Sequence, residues 1–136
     1  NEIEVWKYSV VDDEPDFERI QVIESMEGAN LSDLSCELML SHDQEYVYVS
    51  IDAFNGVSWL KRDTKTGLLS HVSQMPTSGY FPKTLAVLPG DKYIAMLNHD
   101  SNEIRTFVVN HENETILLKN RPVKVGKPNS IWIQKL

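Results

Sequence analysis

The sequence is poor in the residues that would indicate a disulfide-bonded, membrane-spanning or nucleic-acid-binding protein. It has one cysteine, Cys36, among 136 residues, so it can form neither an intramolecular disulfide nor a cysteine-based zinc site. No apolar run approaches the roughly 18 residues that a membrane-spanning helix needs. Basic residues are also in deficit, with 13 Lys and Arg against 20 Asp and Glu. The net charge of −7 argues against nucleic acid or an anionic membrane as a partner.

The remaining composition is that of a globular chain, with 41% apolar residues and a length that suits one domain. Nothing at the N-terminus resembles a signal peptide, and cytoplasm is the default compartment. We expect Cys36 to be a small buried residue in a strand. The chain opens on the polar–apolar alternation typical of the middle of a strand, so we expect it to be part of a longer protein.

Short β-rich and alternating stretches predict an all-β fold, with residues 26–34 as the one irregular or helical insertion. A repeated pattern is the stronger signal. An Asn, a β-branched residue two places on and a large apolar residue three places further recur from positions 1, 55 and 102. A second strand pattern begins at positions 35, 82 and 128, at intervals of 82 − 35 = 47 and 128 − 82 = 46 residues.

A period of roughly 40–50 residues with four strands per unit is typical of a β-propeller blade. The pattern predicts antiparallel four-stranded blades at 35–74 and 82–121, a partial blade at 1–24 and a closing strand at 128–134. Because such a piece has unpaired edges and apolar faces, we expect it to self-associate. The repeat-related strands carry three tryptophans that we expect in the core between blades, namely Trp6, Trp59 and Trp132.

Several motifs resemble those of the lactonase family of seven-bladed propellers, which includes 6-phosphogluconolactonases and carboxy-cis,cis-muconate lactonizing enzymes. Residues 35–50, SCELMLSHDQEYVYVS, resemble the family's Ala-Ala-Glu-Ile-x-Ile-Ser-Pro-Asp-Gly-Arg-Phe-Leu-Tyr-Val-Ser. Residues 79–83, GYFPK, resemble its Gly-Gly-x-x-Pro-Arg, and residues 97–102, LNHDSN, resemble its Ala-Asn-Gln-Asp-Ser-Asp-Asn. The motifs keep the family's order over nearly the whole chain.

The resemblance implies an enzyme that acts on a small anionic substrate, a sugar lactone or a muconate-type diacid, without metal or organic cofactor. Glu37 matches the Glu of the Ala-Ala-Glu motif and is the candidate catalytic acid/base. Lys83 and His99 are the candidate substrate-binding residues. For Glu37 and Lys83 the alternative is a solvated residue at a strand end, and for His99 it is a structural hydrogen bond. We expect the 136 residues alone to be inactive, because other blades would supply further His and Arg groups.

Two departures from the family pattern motivate a second hypothesis. Ile51-Asp52 stands where the family commonly has Asn-Arg, and Lys83 replaces an Arg. Lysine keeps the positive charge but loses the two-pronged grip of a guanidinium on carboxylate or phosphate. The alternative is therefore a non-catalytic binding scaffold derived from that family.

Overall fold

The computed structural model describes residues 1–134, and these form eleven strands and no helix. The first two strands make a hairpin, β1 (Glu2–Val11) and β2 (Glu14–Glu24). A four-stranded sheet follows, here called blade I, with β3 (Ser35–Leu40), β4 (Tyr46–Ile51), β5 (Gly56–Arg62) and β6 (Leu69–Pro76). Blade II consists of β7 (Pro82–Val87), β8 (Tyr93–Asn98), β9 (Glu103–Asn110), β10 (Thr115–Leu118) and β11 (Val123–Lys124).

Within each sheet, every strand pairs antiparallel with its neighbour along the chain, apart from β11, which returns to β9. Blade I has the order β3-β4-β5-β6, and blade II repeats it as β7-β8-β9-β10. The all-β propeller-type fold predicted from the repeat is confirmed. Residues 25–34 form turns rather than a helix, and no helix among residues 1–134 is long and apolar enough to cross a membrane.

The outer strand of blade II is broken, unlike the single strand β6 of blade I. Residues 119–122 interrupt it, and β11 resumes pairing with β9 at Val123↔Ile104. Pro122 lies in the break, where it cannot donate a ladder hydrogen bond. The predicted closing strand at 128–134 is also not a strand in this structure. A first strand of a blade needs a second strand beside it, and residues 1–134 contain none for this segment.

Two apolar clusters hold the three sheets together. One face of blade I packs on blade II around Tyr48, Trp59, Met96 and Phe107. The opposite face packs on the hairpin through Ile3 and residues of β4 to β6. The expected core position is confirmed for Trp59, which is fully buried, and is wrong for Trp6 and Trp132, which are 48% and 87% exposed. Within residues 1–134, no further sheet packs over those two residues, whereas Trp59 lies between two sheets.

Polar side chains fix the order of the sheets. The Gln21 amide of the hairpin donates to the Leu69 carbonyl at 2.8 Å and accepts from the Leu69 amide at 2.7 Å, which ties β2 to the outer strand of blade I. Between the blades, the Tyr48 hydroxyl lies 2.9 Å from His111 Nε2. The His111 ring also stacks on Tyr46, with 4.2 Å between ring centroids. These contacts tie blade I to the hairpin on one side and to blade II on the other.

Candidate functional site

The candidate catalytic residue Glu37 lies near the start of the inner strand β3. The ladder between β3 and β4 skips Cys36, and the Glu37 amide donates to Ser50 Oγ at 3.1 Å. The Thr84 hydroxyl on the neighbouring inner strand donates to Glu37 Oε2 at 3.2 Å. Thr84 is 6% exposed, so its hydroxyl is held in place. The Glu37 carboxylate is therefore fixed by the adjacent blade rather than directed freely into solvent.

Lys83 lies beside this contact, one residue before Thr84. The ladder between β7 and β8 skips Lys83, as the β3 ladder skips Cys36 at the equivalent place. The Lys83 ammonium donates to Asn129 Oδ1 at 2.8 Å and lies 5.7 Å from the centre of the Phe81 ring. Both partners are uncharged. Within residues 1–134, no carboxylate lies within ion-pair distance of Lys83, so its positive charge is not neutralised.

His99 immediately follows β8 and reaches the same segment as Lys83. Its Nδ1 lies 3.1 Å from the Pro128 carbonyl oxygen, and its ring packs edge-on against Phe81 at 5.5 Å. A carbonyl oxygen can only accept, so this hydrogen bond requires the proton on Nδ1. In neutral His99, Nε2 is therefore left as an acceptor.

The structure thus brings all three predicted residues to the beginnings of the inner strands. His99 and Lys83 both pack on Phe81 and both bind residues 128–129. Glu37 joins them through Thr84 and forms no ion pair with Lys83 in the described part of the chain. A carboxylate, an ammonium and an imidazole at one end of adjacent blades can move a proton while holding an anionic substrate.

Cys36 precedes Glu37 and is exposed, so the expectation that it is buried is wrong. Its thiol donates to the Leu34 carbonyl at 3.6 Å. Partial burial raises the pKa of the thiol, and the nearby Asp52 carboxylate adds to this; the Asp52 backbone and Lys83 act in the opposite direction. A raised pKa disfavours the thiolate, so Cys36 is a poor nucleophile at neutral pH.

Sequence reasoning missed a charged cleft between the blades, lined by Asn55, Pro76, Ser78, Gly79, Tyr80, Ser101, Glu103, Arg105 and Lys124. Arg105 Nε donates to Glu103 Oε1 at 2.8 Å, and Lys124 Nζ donates to Glu103 Oε2 at 3.1 Å. Burial alone would raise the pKa of the Glu103 carboxyl, but these two cations outweigh burial and lower it. Glu103 and Arg105 alternate on one strand, but Lys124 meets them only through the β11 pairing.

Four-stranded antiparallel sheets that recur every 46–47 residues and pack face to face place the chain in the β-propeller class. The profile of the family described as Lactonase, 7-bladed β-propeller matches residues 1–133, and the chain belongs to this family. The predicted family is therefore confirmed. No curated protein sequence matches the chain.

Similar solved structures include a periplasmic gluconolactonase of Pseudomonas aeruginosa, with 20% identity and a TM-score of 0.82 over 95% of this chain. Two proteins provisionally assigned as 6-phosphogluconolactonases match 92% of this chain with a TM-score of 0.77. Their identities are 24% for Bacteroides fragilis and 25% for Bacteroides uniformis. The chain spans only 34–35% of the length of these proteins.

Proposed function

We propose that the propeller containing this chain hydrolyses an anionic sugar lactone, with Glu37 as acid/base and Lys83 and His99 as substrate-binding residues. One observation carries the proposal: the Glu37 carboxylate accepts a hydrogen bond from Thr84, and Lys83, the residue before Thr84, has no carboxylate of residues 1–134 within ion-pair distance. The names gluconolactonase and 6-phosphogluconolactonase among the similar structures support the substrate class.

Each residue has a step in lactone hydrolysis. Glu37 accepts a proton from water as the water oxygen attacks the lactone carbonyl carbon. The carbonyl oxygen gains negative charge, which a nearby cation or hydrogen-bond donor stabilises. The bond from the carbonyl carbon to the ring oxygen then breaks, and protonated Glu37 returns its proton to the departing oxygen. The product is the open hydroxy acid, which is released as a carboxylate.

The uncompensated charge of Lys83 favours an anionic substrate over a neutral one. A carboxylate or phosphate displaces only the neutral Asn129 amide from the ammonium, because no carboxylate of residues 1–134 competes for it. With Nδ1 bound to the Pro128 carbonyl, neutral His99 offers Nε2 to a substrate hydroxyl. Turnover of a 3-carboxymuconate uses the same groups, with Glu37 moving a proton and Lys83 holding a carboxylate. We propose that residues 1–136 alone are inactive, because they bring only these groups.

Activity of the full-length protein tests the assignment on glucono-1,5-lactone, its 6-phosphate and 3-carboxy-cis,cis-muconate. We expect Glu37→Gln to lower kcat by about 100-fold or more, in line with loss of acid/base catalysis. Glu45→Gln is the matched control, because Glu45 is an exposed residue in the turn at the other end of β3. Lys83→Gln should raise KM for the phosphorylated lactone more than for the neutral one. Unchanged turnover in Glu37→Gln would refute the catalytic role.

A non-catalytic binding scaffold remains the second candidate, favoured by Lys83 and Asp52 where the family commonly has Arg. Asp52 uses its carboxylate locally, accepting from the Ala53 amide at 2.8 Å. If the full-length protein turns over none of the three substrates yet binds gluconate in a Lys83-dependent manner, the scaffold is the better description.

A further inference from the structure

We propose that the cleft between blades I and II is a second binding site, for a small carboxylate or phosphate anion, separate from the site at Glu37 and Lys83. Its centre is the Glu103 side chain, which is 4% exposed and receives hydrogen bonds from both Arg105 and Lys124. Two cations against one carboxylate leave a net positive charge. An anion that enters the cleft therefore meets an unbalanced cation rather than a closed ion pair.

The cleft presents hydrogen-bond donors that have no acceptor within residues 1–134. Arg105 uses Nε for Glu103, and its two terminal nitrogens make no hydrogen bond within residues 1–134. The Arg105 side chain is 18% exposed, so these nitrogens are held in a fixed direction. Ser101 Oγ accepts from the Tyr80 amide at 2.6 Å, which leaves the Ser101 hydroxyl proton to donate. A carboxylate or phosphate fits the planar fork of an arginine better than water does.

The blade fold itself does not require this charged group. In blade I the equivalent ladder places Gly56 opposite Pro76, where blade II places Glu103 opposite Lys124. Ser58 stands two residues after Gly56, as Arg105 stands two residues after Glu103. Blade I is therefore built from uncharged residues at all three positions. Since an ion cluster with a buried carboxylate costs desolvation, its presence in one blade alone points to a ligand.

The two loops that form the cleft separate it from the first site. One loop, residues 77–81, ends at Phe81, and the other, residues 99–102, begins at His99, and these two side chains pack together on the side of the inner strands. The same loops line the cleft with Ser78–Tyr80 and Ser101. The opposite wall is formed by Asn55 and Pro76 of blade I and carries no charge. The volume of about 550 Å³ accommodates a small anion with its hydration or a polyol chain.

Calorimetric titration of the full-length protein carrying Lys83→Gln, with inorganic phosphate and acetate as separate probes, tests the proposal. The Lys83→Gln background removes the ammonium of the first site, so failure of the proposed function does not affect the result. We expect saturable binding of at least one probe in this background. Lys124→Gln should weaken it about tenfold or more, which is the size of one hydrogen bond to a charged group. Which probe binds distinguishes a phosphate site from a carboxylate site.

The variants are chosen so that folding does not obscure the result. Lys124 is 72% exposed, so its substitution leaves the fold intact, whereas Arg105→Lys keeps the charge and removes only the fork. Lys65→Gln, in an exposed turn of blade I, is the matched control and should not change binding. Absence of binding to both probes would overturn the proposal. So would binding in Lys124→Gln and Arg105→Lys that is as strong as in the protein without these two substitutions. So would binding that disappears in the Lys83→Gln background.

Discussion

Gly79 offers a sharp test of how the loop before Lys83 is packed. A Cβ at this position would lie 2.1 Å from Asn98 Nδ2 and 2.5 Å from Asn98 Cγ. Asn98 is fully buried and accepts a hydrogen bond from Thr77 Oγ1 at 3.1 Å, so its side chain has nowhere to move. Because the φ of Gly79 lies outside the left-handed region, alanine suits the backbone and the effect is purely steric.

We expect Gly79→Ala to lower the free energy of unfolding by about 3 kcal/mol, from overpacking and loss of the Thr77–Asn98 hydrogen bond. Denaturant unfolding of the full-length protein measures this, and the Tm should fall by several degrees. Gly126→Ala is the matched control, since a Cβ there meets nothing within 4 Å. That change should alter stability by no more than about 0.5–1 kcal/mol.

A double-mutant cycle with Asn98→Ala separates the clash from other effects. If the added methyl collides with the Asn98 side chain, shortening that side chain should recover about 1–2 kcal/mol of the loss. Equal stability of Gly79→Ala and Gly126→Ala would refute the packing described here. Strict additivity of Gly79→Ala with Asn98→Ala would show that the clash lies elsewhere.

Two further predictions concern the contact between blades at the opposite end and the exposed hairpin. Burial alone would raise the pKa of Asp91, but hydrogen bonds from the His42 ring and the backbone amides of His42 and Asp43 outweigh it and lower the pKa. Its stabilisation is therefore complete above the unfolded pKa and lost as pH falls through the folded pKa. Asp91→Asn should cost about 1–2 kcal/mol at pH 7 but progressively less below about pH 4 in pH-dependent unfolding, and a pH-independent difference would contradict this. The isolated 136-residue chain should self-associate in light scattering, and Phe17→Glu, on the exposed hairpin, should reduce it; a monomer at high concentration would contradict this.

The propeller fold could be predicted because its signals are local or periodic. Runs of β-branched and aromatic residues such as Tyr46–Val49 identify strands, and equal intervals identify which strands correspond. The blade was predicted at 35–74, and strands β3 to β6 run from Ser35 to Pro76. The break in the outer strand of blade II was not predicted, because the repeat shows only what the blades have in common. Pro122 belongs to one blade, where it removes a single backbone donor from the ladder. The exposure of Trp6 and Trp132 was missed because the repeat cannot show which sheets this chain contains.

The candidate site was predicted less completely than the fold. Motif position identified Glu37, Lys83 and His99, but their partners come from segments 29–47 residues away in sequence. Such contacts depend on the register and packing angle of two blades, which a pattern in one strand does not contain. The cleft at Arg105 was missed for the same reason.

Comparison of equivalent positions between blades separates structural residues from candidate functional ones. Asn55 and Asn102 have the same left-handed φ, donate to the carbonyl two residues earlier, and accept from the amides of Phe81 and Lys127 respectively. The same residue with the same bonds at the same interval is there to hold the next loop, and its loss should affect both blades alike. By contrast, Glu37 in blade I stands where blade II has Thr84, and the two bind each other. A position that changes chemical class between blades yet keeps its place in the fold is free to serve the ligand. That contrast directs mutagenesis of this propeller to the starts of its inner strands and to the cleft at Arg105, rather than to its repeated residues.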